Sequence, residues 1–183
     1  TKRLVLSRVA RVFDAVGFAS AFIIRAKIGL KDLWKRGLDW DDELPPDLQE
    51  FWINLFGEVL LLSHLEFERC LTPVNAMDQP SLCTFSDAST EAFGACSYVR
   101  WNLENGQFAV RFIAAKSRVA PLKQLTIPRL ELQGAVLATR LSKTILEETR
   151  LKFERTIFFL DSRLFLHGFV AKEENLSRSF QFE

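Results

Sequence analysis

The dipeptide Asn105-Gly106 constrains the fold of this chain more than any other feature. It stands between two strand-like runs, Gly94–Trp101 and Gln107–Ala115. Asn-Gly in that setting is the strongest short-range signal of a β-hairpin, because both central residues of the favoured turn need positive φ. A third strand-like run, Leu82–Asp87, precedes the pair. Pro128 suits the first turn of a long helix running to about Arg150. Thr156–Leu160 is a nearly continuous apolar run, as expected of a central strand buried on both faces. A short helix from Ser162 to about Ala171 follows. The order β-β-β-α-β-α predicts an α/β domain with a mixed sheet.

The residues before this pattern have a different texture, and the change falls at Thr72–Ser81, a turn-rich stretch with two prolines read as a linker. Upstream the spacing is helical, which predicts a small all-α lobe over residues 1–71. Ser7 is placed to cap a short helix over Val9, Ala10, Val12 and Phe13, and Ser20 to cap a second over Phe22–Trp34, with Gly37 as its stop. Pro46 opens a third helix, Asp47–Leu62, with Leu48, Trp52, Leu55 and Val59 at helical spacing. Trp34, Trp40, Trp52 and Phe13 are expected in the core of this lobe. Asp41-Asp42-Glu43 reads as a solvated turn, and His64 as structural.

Length allows one ordinary domain, or a compact domain beside a smaller lobe. With 48% hydrophobic residues and 17 Phe the chain can bury a core. A net charge of +1 gives no global attraction to nucleic acid, so any polyanion site must be a local patch. Cys70, Cys83 and Cys96 form no CxxC pair, and the last two sit in apolar strand-like runs, which suggests reduced thiols in a cytosolic or nuclear setting. The apolar stretch Val16–Ile24 is far shorter than the roughly 20 residues of a membrane span. The chain opens at Thr1 and ends at Glu183 in a polar run, which suggests a piece of a larger polyprotein.

Three carboxylates carry the chemistry. Asp87 ends the run from Leu82, Glu131 lies one turn into the Pro128 helix, and Asp161 closes the run from Thr156. Their separations of 44 and 30 residues leave room for a hairpin and then a helix. Hydrolysis of a phosphodiester needs a nucleophilic water and neutralisation of developing charge, which two Mg²⁺ ions can supply. Mg²⁺ prefers oxygen ligands. Ala135, Ala138 and Ser142 make the Glu131 face small enough to lie close on a sheet. Against this stands the plainer reading that three of the chain's 23 acidic residues are ordinary surface groups. The basic run Lys116, Arg118, Lys123 and Arg129, placed between strand three and the Glu131 helix, can contact backbone phosphates. Ser89 and Thr90 can hydrogen-bond a phosphate or a 2′-hydroxyl, or serve a local turn. His167 is a further candidate beyond Asp161.

Residues 82–170 resemble the ribonuclease H domain of BEL/Pao-type LTR retrotransposon polyproteins. The resemblance lies in Phe85-Ser86-Asp87-Ala88-Ser89, Ala92-Phe93-Gly94-Ala95, the run Ala115 to Lys123 (AKSRVAPLK), the run Thr126 to Leu132 (TIPRLEL) and Leu160-Asp161-Ser162. Residues 3–71 resemble the segment that follows the reverse-transcriptase palm in these elements, through the run Leu6 to Asp14, Ala26-Lys27-Ile28, and the run Trp40 to Pro45. That segment is often labelled a peptidase region, yet the chain has no Asp-Thr-Gly or Asp-Ser-Gly motif.

The resemblance implies a ribonuclease H-like fold that cuts the RNA strand of RNA–DNA hybrids with two ions, Mg²⁺ or Mn²⁺. It places the first three metal-binding acids on Asp87, Glu131 and Asp161, and leaves 3′-hydroxyl and 5′-phosphate ends. It also implies flanking reverse-transcriptase and integrase segments and an intracellular setting. The family's fourth acid, last strand and last helix are expected to be missing, so residues 82–183 read as a domain cut short at its C-terminus. The alternative is a truncated or host-retained fragment without activity that binds nucleic acid or a protein partner, led in one version by the helical lobe alone.

Overall fold

A computed structural model of the chain describes residues 1–160 and 180–182. They form two compact units, Thr1–Phe67 and Glu68–Glu183.

The first unit is helical: α1 spans Lys2–Ala10, α2 Ser20–Lys35 and α3 Pro46–Val59, and a 3₁₀ turn follows at Leu60–His64. Two expected caps shift. Ser7 lies inside α1, whose N-terminus is capped instead by Thr1, its Oγ1 accepting from the Leu4 N–H at 3.4 Å. Ser20 is the first residue of α2, and the Asp14 carboxylate takes up the entering backbone by accepting from Gly17 and Ala19 N–H at 2.8 and 2.9 Å. A carboxylate reaching back over a Gly17 turn satisfies two donors where Ser20 would satisfy one. The core comprises Val5 and Val9 of α1, Phe22, Ala26 and Leu33 of α2, and Leu48, Trp52 and Leu55 of α3, with Leu44. Gly29 is needed at the crossing of α2 and α3, since a Cβ there would lie 2.6 Å from Phe51 Cε1.

The expected aromatic core of this unit is only partly realised. Trp52 is buried, whereas Phe13, Trp34 and Trp40 are exposed. Trp34 and Trp40 meet edge to face instead and flank the buried Lys2, whose Nζ lies 4.0 Å from the Trp34 ring and donates to the Leu38 carbonyl. His64 is exposed.

In the second unit β1 spans Ala76–Ala88, β2 Ala92–Leu103, β3 Phe108–Val119, α4 Ile127–Glu148, β4 Arg155–Leu160 and β5 Phe180–Phe182. The strands lie in the order β3-β2-β1-β4-β5. β1–β2 and β2–β3 are antiparallel, while β1–β4 and β4–β5 are parallel. The sheet is therefore mixed, as expected. The expectation that the last strand is missing is corrected by β5, which adds a parallel edge beside β4.

Two boundaries also move. More than half of the expected linker is strand: β1 begins at Ala76, with a register break between Met77 and Ser81. Asp78 at φ 55° and Pro80 occupy that break, where the β1–β2 ladder does not pair them, and the Pro80 carbonyl accepts instead from the Glu154 N–H at 3.0 Å. The hairpin turns at Gly106, φ 77°, with Asn105 Oδ1 accepting from the Gln107 N–H at 3.0 Å. Lys116 and Arg118 belong to β3 itself rather than to a loop after it, because β2 is long enough to pair with them through Ala95 and Phe93.

α4 packs on one face of the sheet, burying Leu130, Leu137, Ala138, Leu141 and Ile145 against Leu82, Phe93, Ala95 and Phe158. The opposite face carries rings in mutual contact, Phe112 with Tyr98, Tyr98 with Phe85, and Phe85 stacked on Phe159 at 4.4 Å. The expected helix from Ser162 and the candidate His167 lie outside the described residues.

Candidate functional site

The end of β1 is the focus. Asp87 pairs across the sheet with Gly94, and Gly94 pairs with Ser117. On the other side Ser86 pairs with Leu160, the last residue of β4. Asp161 is joined to Leu160 in the chain and lies outside the described residues.

Asp87 is exposed, and its Oδ1 accepts from the Ala88 N–H at 2.7 Å. Strand alternation puts it on the face of Phe85, opposite the face that Thr84 and Ser86 turn to α4. Its neighbour Gly94 has no side chain, so space is left beside the carboxylate. Glu131 is half-buried in the first turns of α4. The tie between them is Gly134, one turn beyond Glu131. A Cβ there would lie 3.4 Å from the Asp87 carbonyl oxygen and 3.7 Å from Ser86 Oγ. The start of α4 thus rests directly on the backbone that carries Asp87. Glu131 rides above the strand end from one face while Asp87 leaves it on the other.

Neither carboxylate enters a salt bridge among the described residues. Both are hard oxygen donors without a competing cation among the described residues, a donor set that fits Mg²⁺ or Mn²⁺. Among the described residues no three His, Cys, Asp or Glu side chains cluster closely enough to hold an ion. The third expected ligand, Asp161, is not one of those residues.

The basic residues spread out from this point. Lys116 and Arg118 lie two strands away in the rows of Ser86 and Ala88, roughly 10 Å across the sheet. Lys123 and Arg129 are exposed, one in the connection and one in the first turn of α4. Ser89 serves the β1–β2 turn: its hydroxyl donates to the Ala92 carbonyl and accepts from Glu91 and Ala92 N–H, each at 3.2 Å. Thr90 is exposed in the same turn.

Two residues at this end of the sheet were missed by sequence reasoning. Gly134 was overlooked among the small residues of α4. Thr84 was not singled out, and Ser142 was read only as a small residue of the Glu131 face, yet Thr84 Oγ1 shares hydrogen bonds with Ser97 Oγ at 2.8 Å and Ser142 Oγ at 2.7 Å in a fully buried line. Hydroxyls at positions whose burial pattern demands apolar side chains are the signal that could have found them.

A mixed sheet in this order, with α4 on one face and Asp87 at the end of β1, defines a ribonuclease H-like α/β domain. The chain belongs to the Pao retrotransposon-like RNaseH-like domain family, whose model matches residues 1–162. No curated protein matches the chain. Among solved structures it is similar to the foamy viral protease-reverse transcriptase dRH in complex with ds DNA, with 12% identity and TM-score 0.42, over 98% of this chain and 34% of that one. It is similar too to the foamy viral protease-reverse transcriptase in complex with dsDNA, with 14% identity and TM-score 0.43, over 98% of this chain and 41% of the other. The chain spans less than half the length of either. No helix among the described residues is long and apolar enough to cross a membrane.

Proposed function

We propose that this retroelement domain cleaves the RNA strand of RNA–DNA hybrids, with Asp87, Glu131 and Asp161 as ligands of two divalent ions. The observation that carries the reading is the seat of Gly134 on the Asp87 carbonyl, which sets the Glu131 helix over the end of β1. The pairing of Ser86 with Leu160 supports it by bringing the end of β4, one residue short of Asp161, to the same edge.

Mg²⁺ or Mn²⁺ bound there would supply an activated water and neutralise charge developing on the phosphate. The chain's own residues do the rest. Asp87 and Glu131 present carboxylates that enter no salt bridge among the described residues. Lys116, Arg118, Lys123 and Arg129 attract the phosphates of the hybrid without reading its sequence. Gly94 leaves room for the backbone of the scissile strand beside Asp87. Thr90 is free to reach a 2′-hydroxyl, whereas Ser89 is held by its turn. Membership of a retrotransposon family supports a polyprotein setting, intracellular and beside reverse-transcriptase and integrase segments.

The test is hybrid cleavage titrated with Mg²⁺ and Mn²⁺, wild type beside Asp87→Asn. The exposed side chain makes this variant isosteric and stable, and cleavage should vanish while the melting temperature holds. Metal-dependent cleavage surviving in Asp87→Asn would sink the assignment.

A further inference from the structure

In the second unit Thr84 on β1, Ser97 on β2 and Ser142 on α4 join their hydroxyls in one buried line, and Ser81 and Thr156 are the other buried polar side chains among the described residues. Each residue of the line is at most 1% exposed. Val and Ala would fill the same volumes and ask for no direction. A chain of hydrogen bonds does ask for one: it is satisfied at a single rotation and a single height of α4 on β1.

The line sits in a telling place. Ser142 follows Glu131 by eleven residues, close to three whole turns, so both lie on the same stripe of α4. Thr84 precedes Asp87 by three residues on β1. Gly134 provides the second point of contact, on Asp87 itself. The two points are roughly 12 Å apart along the helix and roughly 10 Å apart along the strand. A helix pinned at two such points can neither slide nor turn. Turning it by one residue would swing Glu131 about 100° away from the strand end.

We infer that Thr84, Ser97, Ser142 and Gly134 are positioning residues that hold Glu131 in register with Asp87, so that divalent-metal affinity depends on the buried hydroxyl line. The inference rests on the proposed metal site and extends it to residues that touch neither metal nor substrate. Groups that orient metal ligands typically cost about 10–100-fold in metal affinity or activity when removed.

The experiment measures Mn²⁺ binding to the full chain by calorimetry, together with the Mn²⁺ dependence of hybrid cleavage. The variants are Thr84→Val, Thr84→Ser, Gly134→Val and Leu137→Ala. Leu137 lies in the same core on the same helix and takes no part in the line, so it reports what lost stability alone does. Thr84→Val and Gly134→Val should each weaken Mn²⁺ about tenfold or more with the KM for hybrid unchanged. Thr84→Ser should restore wild-type binding, and Leu137→Ala should keep it despite a lower melting temperature. Equal weakening in Leu137→Ala, or unchanged Mn²⁺ binding in both Val variants, overturns the inference and leaves the metal site standing. A wild-type chain that neither binds Mn²⁺ nor cleaves hybrid removes the site and the inference together. Should Thr84→Val fail to fold, Gly134→Val decides the matter alone.

Discussion

The helical unit and the sheet unit bury a similar kind of residue and secure it differently. In the helical unit the ion pairs are at the surface. Arg3 pairs with Asp41 and Arg36 with Asp47, each at 2.8 Å, and Arg25 pairs with Glu58, all on exposed side chains. In the sheet unit the decisive polar tie is inside, along Thr84, Ser97 and Ser142. Surface pairs contribute little and leave helices free to adjust. A buried line contributes through direction, and a site that depends on two elements in fixed register needs that.

The comparison can be broken first by cavities. Leu82 is fully buried between neighbouring strands and beneath α4, whereas Leu4 of α1 is half exposed. Leu82→Ala should cost about 2–5 kcal/mol in denaturant unfolding. Leu4→Ala should stay within about 0.5 kcal/mol. A cost for Leu82→Ala no larger than that of Leu4→Ala would show that the sheet core is not packed as described.

A sharper contrast uses two buried tryptophans. Trp101 of the sheet unit donates its indole N–H to the Leu71 carbonyl at 2.7 Å, while the buried Nε1 of Trp52 in the helical unit finds no hydrogen-bond partner among the described residues. Trp101→Phe removes a satisfied hydrogen bond, worth about 1 kcal/mol, in addition to packing. Trp52→Phe removes a donor that is already unsatisfied. Trp101→Phe should therefore be the more destabilising of the two in urea unfolding. The reverse order would mean that indole hydrogen bonding does not separate these cores.

The smallest effect is in acid. Asp41, Asp47 and Glu58 are held below the ordinary carboxylate range, in each case first by the hydrogen bond from an arginine, Arg3, Arg36 and Arg25 respectively. Carboxyls with lowered folded-state values bind fewer protons folded than unfolded. Their contribution is complete above the unfolded value of about 4 and fades as the pH falls through the lower folded one. Amide protection in α1–α3, taken relative to the intrinsic exchange rate at each pH, should fall modestly below about pH 4, and 0.5 M salt should blunt the change. No change in protection across that range would show that these pairs do not contribute.

Much of the architecture was legible from local signals. Asn105-Gly106 marked its hairpin, and Pro128 and the apolar run from Thr156 marked helix and strand, because each is decided by residues within a few positions of itself. The caps at Ser7 and Ser20 were misread because a nearby Thr1 and Asp14 compete for the same backbone donors. The start of β1 was misread because Pro80 and Asp78 signal a turn, and only pairing with β2 turns them into a bulge. The exposed Phe13, Trp34 and Trp40 show that hydrophobicity alone does not determine burial.

The sequence by itself determined the order of the elements from α1 to β4, since each follows from composition and short-range spacing. Only the tertiary structure decided that Gly134 sits on the Asp87 carbonyl, that Asp87 and α4 take opposite faces of one strand, and that Thr84 meets Ser142. Those residues are 47 and 58 positions apart in the two contacts, and no local pattern encodes a contact made across a core. The physical reason is that packing selects the one helix placement in which the buried hydroxyls and the tight glycine contact are satisfied at once.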